Sequence, residues 1–94
     1  MELRYRGSFR RDYNSIGNKE LIKALKKTIV EIKAAKNTSQ ISRLKRFKAR
    51  SHNWYKIESR TVHGGKIYWI LCVIRNNVVE LRRVKPESFF KKNY

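Results

Sequence analysis

The sequence predicts an α+β domain: two N-terminal helices, joined as an αα-hairpin, pack on one face of a twisted antiparallel sheet, in the order β-α-α-β-β-β. Three observations predict it. Leu21, Leu25, Ile29 and Ile32 recur at helical spacing between Lys19 and Lys36. From Trp54 to Val84 the pattern changes to period-two alternation and one continuous apolar run, separated by short turns. Four glycines and one proline in 94 residues leave only short linkers, so one domain spans residues 1–94.

The elements follow in chain order. Leu3 and Tyr5 alternate with Arg4 and Arg6, which predicts a short first strand punctuated by Gly7. Ser8 is placed to N-cap a short helix whose apolar face is Phe9, Tyr13 and Ile16, and Gly17 ends it. Asn18 caps the second helix, with Glu20 in its first turn and Lys23, Lys26, Lys27 and Lys33 mostly on the face away from the leucines. Residues Asn37 to Gln40 break the helix. Ile41, Leu44 and Phe47 then recur at threes, which fits either a helical turn or a short connecting strand.

The second half reads as sheet. Trp54 to Thr61 alternates, with Tyr55 and Ile57 opposite Lys56 and Glu58, and His63-Gly64-Gly65 forms a turn. Lys66 to Arg75 is nearly continuous apolar sequence, the mark of a central strand covered on both faces. Asn76-Asn77 suits a two-residue hairpin turn, because Asn tolerates positive φ. Val78 to Val84 is the partner strand, and Pro86 stops it. Phe89, Phe90 and Tyr94 pack the tail back on the sheet or a helix. If the alternation holds, the sheet face away from the helices carries Lys56, Glu58, Arg60, Lys66 and Arg82.

Charge then selects a partner. The chain has 24 Lys+Arg against 7 Asp+Glu, a formal net charge of +17. A compact domain this basic repels itself, and a polyanion relieves that repulsion while releasing condensed counterions. Nucleic acid is the partner class that follows. The densest basic run is Arg43, Lys45, Arg46, Lys48 and Arg50, a binding surface or a solvated loop.

Other classes are excluded or set aside. The lone Cys72 has no disulfide partner in the chain and lies among Ile70, Leu71, Val73 and Ile74, which reads as an inert buried thiol in a cytoplasmic protein. Met1-Glu2-Leu3-Arg4 opens no signal peptide, and the apolar stretch Ile67 to Ile74 is too short to span a bilayer, so no membrane role is expected. With one Cys and two His, His52 and His63, no metal-ligand spacing is present and no metal is expected. Gly64-Gly65-Lys66 lacks the earlier Gly and the Ser/Thr of a phosphate-binding loop, and no serine has a His/Asp set around it. His63 is a candidate proton carrier or a solvated loop residue.

Several strings together resemble a known family. Leu44-Lys45-Arg46-Phe47-Lys48, Asn53-Trp54-Tyr55-Lys56-Ile57, Lys66-Ile67-Tyr68 and Asn77 to Val84 are similar, in order and spacing, to segments of the RelE/ParE superfamily, the toxin halves of type II toxin–antitoxin modules. The RelE-like branch is the better match. That resemblance implies a ribosome-dependent endoribonuclease that cuts mRNA without metal or small-molecule cofactor, by attack of a 2′-hydroxyl on the adjacent phosphate. It also implies an acidic antitoxin wrapping the basic surface near Arg43 to Arg50. Carried over by position, Lys56, Lys66 and Arg82 fall on the family's basic sheet positions, and Lys85, Pro86 and Phe90 stand where it usually has His, Arg and Tyr. Phe90 keeps a ring that stacks on a base but has no proton to transfer. Glu58 stands where a cation is common and is either a base near Lys56 or Arg60 or a cross-strand ion pair.

The candidate catalytic set is Lys56, Glu58, Arg60, Lys66, Arg82 and Lys85, and the RNA-binding set is Arg43, Lys45, Arg46, Lys48, Arg83 and Phe90. The competing expectations are a gyrase-directed or non-cutting toxin on the same fold, motivated by Pro86 and Phe90, and a basic nucleic-acid-binding domain of another kind.

Overall fold

The computed structural model of the chain describes residues 1–46, 54–63 and 66–93, with only the backbone described for 60–63, 66 and 91–93. The elements run β1 (Glu2–Tyr5), α1 (Gly7–Asn14), α2 (Lys19–Ala34), a 3-10 turn at Thr38–Gln40, β2 (Leu44–Arg46), β3 (Trp54–His63), β4 (Lys66–Arg75), β5 (Val78–Pro86) and α3 (Glu87–Asn93).

The sheet has five strands in the order β1-β5-β4-β3-β2. It is mixed, which corrects the all-antiparallel expectation: β1 pairs parallel with β5, Glu2 opposite Val78 through Tyr5 opposite Leu81. The reason is the path. The helices carry the chain across one face from the β1 edge to the β2 edge. Three successive antiparallel pairings (β2 with β3, β3 with β4, β4 with β5) then return it to lie beside β1. Two further elements exceed the expected order. Leu44–Arg46 forms the short edge strand β2, the strand alternative for that stretch, and Glu87–Asn93 forms α3.

Local chemistry explains most boundaries. Asn18 Oδ1 accepts from the Leu21 N–H at 2.8 Å and starts α2 as expected. Asn76 and Asn77 take φ of 48° and 65°, the pair of left-handed residues that a type I′ hairpin needs. Ser8 is not the cap of α1. The helix begins two residues earlier, at Gly7 with Arg6 at the cap position, and the Ser8 hydroxyl instead donates to the Arg82 carbonyl at 2.6 Å.

The main core lies between the helices and the sheet. Leu21, Leu25 and Ile32 of α2 and Phe9 of α1 meet Ile57, Ile70, Cys72, Ile74, Val79, Leu81 and Val84. α1 packs on β5 and α2 on β3, and between the helices runs a groove lined by Phe9, Tyr13, Ile29 and Val30 among others. A second, smaller cluster on the opposite face joins Trp69 and Leu71 to Phe90 of α3. β4 is thus covered on both sides, as its continuous apolar sequence requires. None of the described helices is long and apolar enough to cross a membrane.

Candidate functional site

The face of the sheet away from α1 and α2 gathers the cations. Lys45 of β2 is directly opposite Lys56 of β3. Like charges in that register repel, and an aromatic ring answers the repulsion. The Trp69 ring of β4 lies 4.4 Å from Lys56 Nζ and 5.5 Å from Lys45 Nζ, centroid to nitrogen. Trp69 is itself 2% exposed, so its ring is a fixed support under two ammonium groups. Glu87, the first residue of α3, brings a carboxylate oxygen to 4.0 Å from Lys56 Nζ.

β5 adds Arg82, as the alternation expects, and also Arg83, through an irregularity that period-two reading misses. Leu71 pairs with Arg83 and Cys72 with Leu81, so Arg82 is an extra residue in the ladder. A bulge of this kind turns two successive side chains toward one face. Arg82 places its guanidinium 5.1 Å from the Trp54 ring centroid, and Arg83 and Lys85 lie 5.4 and 5.5 Å from the Phe89 ring. Glu80 also binds Arg82 through Nε.

The bulged arginines are held from behind. β1 ends opposite Leu81, and beyond it α1 takes up the exposed edge of β5. Ser8 donates to the Arg82 carbonyl, and Asp12 Oδ2 accepts from the Val84 N–H at 3.0 Å and from Arg83 Nε at 2.7 Å. Lys85 Nζ stands 3.5 Å from Asp12 Oδ1. Burial pushes the Asp12 carboxyl up. The hydrogen bonds from Arg83 and Val84 and the charges of Arg83 and Lys85 outweigh it, holding the group below the ordinary carboxylate value.

Of the residues singled out by sequence, the structure brings together Lys45, Lys56, Arg82, Arg83 and Lys85 along one face and its β5 rim. It separates others. Arg46 is opposite Tyr55, a residue packed against the helix-side core, so Arg46 falls on the face opposite Lys45. Glu58, opposite Trp69, keeps the face of Lys56 but is bound to Arg43 at the β2 rim, an ion pair. Phe90 is corrected as a base-stacking residue: it is 3% exposed, packed edge-on against Phe89 and part of the second core. The ladder shifts between Glu58 and Val62, so alternation counted from Lys56 does not extend to Arg60. The side chains of Arg60, His63 and Lys66 lie outside the described residues, as do Phe47, Lys48, Arg50, His52, the Gly64-Gly65 turn and Tyr94.

Sequence reasoning missed Asp12 and Glu87. Asp12 had a signal: an acid on the apolar face of a cationic helix, three residues after Phe9 and four before Ile16. Glu87 had one too, since Pro86-Glu87 is a helix-start pattern.

Comparison with known proteins shows the fold and corrects the family assignment. The chain superposes on a chain of the RelB-RelE antitoxin-toxin complex from Methanococcus jannaschii with a TM-score of 0.69 and 19% identity, over 97% of this chain and 98% of that one. The conserved hypothetical protein HP0894 from Helicobacter pylori gives 0.54 and 14%, over 94% and 96%. The fold is shared. No protein-family model matches the chain, and no curated protein does. The assignment to the RelE/ParE superfamily, with its RelE-like branch preferred, is therefore withdrawn. The matched complex contains both an antitoxin and a toxin, and identities this low carry architecture only. The strings behind the assignment are short mixtures of basic and apolar residues, a pattern that half-buried strands of a cationic sheet impose by themselves.

Proposed function

We propose that this chain is the toxic component of a toxin–antitoxin module and cuts messenger RNA on the ribosome, in the cytoplasm, without a metal. One observation carries the reading. Lys45, Lys56, Arg82 and Arg83, from three strands, converge on a single sheet face supported by Trp69 and Trp54. The fold shared with a chain of an antitoxin–toxin complex supports it.

The chemistry follows from those groups. The ribose 2′-oxygen forms a bond to the neighbouring phosphorus, the bond to the 5′-oxygen breaks, and a 2′,3′-cyclic phosphate and a 5′-hydroxyl result. Charge grows on the phosphoryl oxygens, and fixed cations aimed at that point lower the barrier. Arg82 and Lys45 fill that role from opposite sides of Trp69. Lys56 is the proton carrier, with Glu87 beside it to orient or accept the proton. Trp54, partly buried at the start of β3, offers its ring to a base. An acidic antitoxin segment neutralises the same cations when the protein is held inactive.

The test is 5′-end mapping of mRNA on translating ribosomes given the protein. New ends within the ribosomal A site, absent with Lys56→Gln, support the reading. An unchanged end profile at a dose that arrests growth overturns it.

A further inference from the structure

Beyond the lysines around Trp69, the same face continues into a hollow of about 330 Å³ at the hairpin end of the sheet. Arg4, Arg75, Arg82 and Glu80 surround a floor of Val73 and Val78. Register explains the gathering: Arg4 is opposite Glu80, Glu80 opposite Val73, and Arg75 opposite Val78. Val73 also pairs with Trp54, which stands two residues from Lys56 along β3. The hollow is therefore contiguous with the candidate reaction site, about 7 Å along the strand.

Its cations differ from those around Trp69. The Trp69 ring carries lysines of β2 and β3, whereas all three cations in the hollow are arginines, of which Arg82 also borders the reaction face. A guanidinium is a planar fork that grips two phosphate oxygens at once and does not give up its proton, which suits holding an anion rather than reacting with it. Glu80 acts as a brace. One oxygen takes the Nε hydrogen of Arg82 and the other lies 3.9 Å from Arg6 Nη1, which leaves the Nη groups of Arg82 for another anion. Among the described residues Arg4 is tied to Glu2 alone, in a pair exposed on both sides and so weak in water. Among the described residues Arg75 is exposed and has no carboxylate partner.

We infer that this hollow is a second phosphate site, which holds a phosphodiester of the same RNA strand displaced from the one that reacts at Lys56. The inference rests on the RNA reading above, and the experiment separates the two. Binding of a ten-residue 2′-O-methyl oligouridylate, which has no attacking hydroxyl, is measured against salt concentration. Each phosphate contact to a single strand contributes about 0.7 to the slope of log affinity against log salt. Arg75→Gln and Arg4→Gln should each lower the slope by about that amount and weaken binding roughly fivefold at 0.1 M salt. Lys27→Gln, on the exposed side of α2, should change neither. Wild-type slopes retained in both arginine variants overturn the hollow and leave the RNA reading standing. Absence of salt-dependent binding by the wild type overturns the RNA reading and the hollow with it. Weakened binding of a glutamate decapeptide by Arg75→Gln, with the oligouridylate unaffected, assigns the hollow to an acidic protein segment and overturns it as a phosphate site.

Discussion

Asp12 of α1 and Arg83 of β5 stand 71 positions apart in the chain, and their side chains meet through two hydrogen bonds of 2.7 and 3.3 Å. The pair joins the helical layer to the bulge that aims the arginines. Asp12 is 8% exposed and Arg83 keeps about a third of its side chain in solvent. Water can therefore partly replace the lost partner if one is removed. Asp12→Asn should destabilise the protein by about 1–2 kcal/mol, at the lower end for a buried charged hydrogen bond, and lower Tm by roughly 5–10 °C. Thermal unfolding followed by circular dichroism checks it.

The same carboxyl makes the stability acid-sensitive. It is held below its usual value in the folded protein, so below neutrality the unfolded chain binds more protons at this site than the native one does. Its contribution is complete above the ordinary Asp range, near ~3.9, and falls away as the pH drops toward the depressed folded value. The stability difference between wild type and Asp12→Asn should therefore be constant from pH 7 to about 5 and shrink below about pH 4. A difference that persists undiminished at low pH would place the lost energy in packing rather than charge.

Lys56 and Lys45 share one indole but differ in their surroundings. Lys56 lies closer to the ring and has Glu87 beside it, and Lys45 stands on the edge strand. Lys56→Gln should lower cleavage by about 10²–10⁴-fold, the range for a lost general acid or base. Lys45→Gln should lower it by no more than about tenfold, through weaker phosphate binding at a solvent-exposed rim. Lys56→Arg separates charge from proton transfer, because a guanidinium keeps its proton at any working pH. That variant should bind RNA like the wild type and cut as poorly as Lys56→Gln. Single-turnover cleavage together with oligonucleotide binding distinguishes the outcomes.

The sequence carried the fold further than the site, for physical reasons visible at single residues. Asn18, the Asn76-Asn77 turn and the apolar run of β4 act through local backbone and solvation rules, so their signals sit in a few adjacent letters. The parallel pairing of β1 with β5 depends on how many times the chain reverses between them, and β2 is too short to have a period. Of the candidate site, alternation foretold the face of Lys56 and Arg82, and Lys45 stood out only as part of a basic run. The inserted residue at Arg82 turned Arg83 to the same face against the alternation, and the ladder shift after Glu58 ended the extrapolation toward Arg60. Phe90 misled for another reason. Its ring fits a stacking role and a core role equally well, and only the return of α3 over Trp69 and Leu71 decides between them.

That return makes Phe90→Tyr informative. The ring packs against Trp69 and Leu71, where a hydroxyl has to be buried or has to push the helix outward. The substitution should cost about 1–3 kcal/mol and should not raise cleavage, because the new hydroxyl is directed into the core rather than toward a phosphate. Phe90→Leu keeps the site apolar and should cost about 1–2 kcal/mol through the cavity it leaves. Urea unfolding of the pair measures the first effect against the second, and a cleavage gain in Phe90→Tyr would show that the ring swings out during turnover.

Cys72 offers a direct readout of how the two layers hold together. It sits in the central strand with 0% exposure, and burial pushes its thiol strongly up, so neither access nor ionisation favours reaction in the folded protein. Its labelling by a thiol reagent must therefore wait for the sheet to open. For a group at the centre of the core, that opening is the global one. Labelling should be slower than that of a free thiol by about 10³-fold or more at neutral pH, and the rate should rise exponentially with urea, with a slope matching global unfolding. Asp12→Asn should speed labelling by about 5–30-fold, the factor that corresponds to 1–2 kcal/mol. Rapid labelling without urea would mean that β4 is reached by local fraying. The two-sided cover given by the helices and by Phe90 would then fail as the account of its stability.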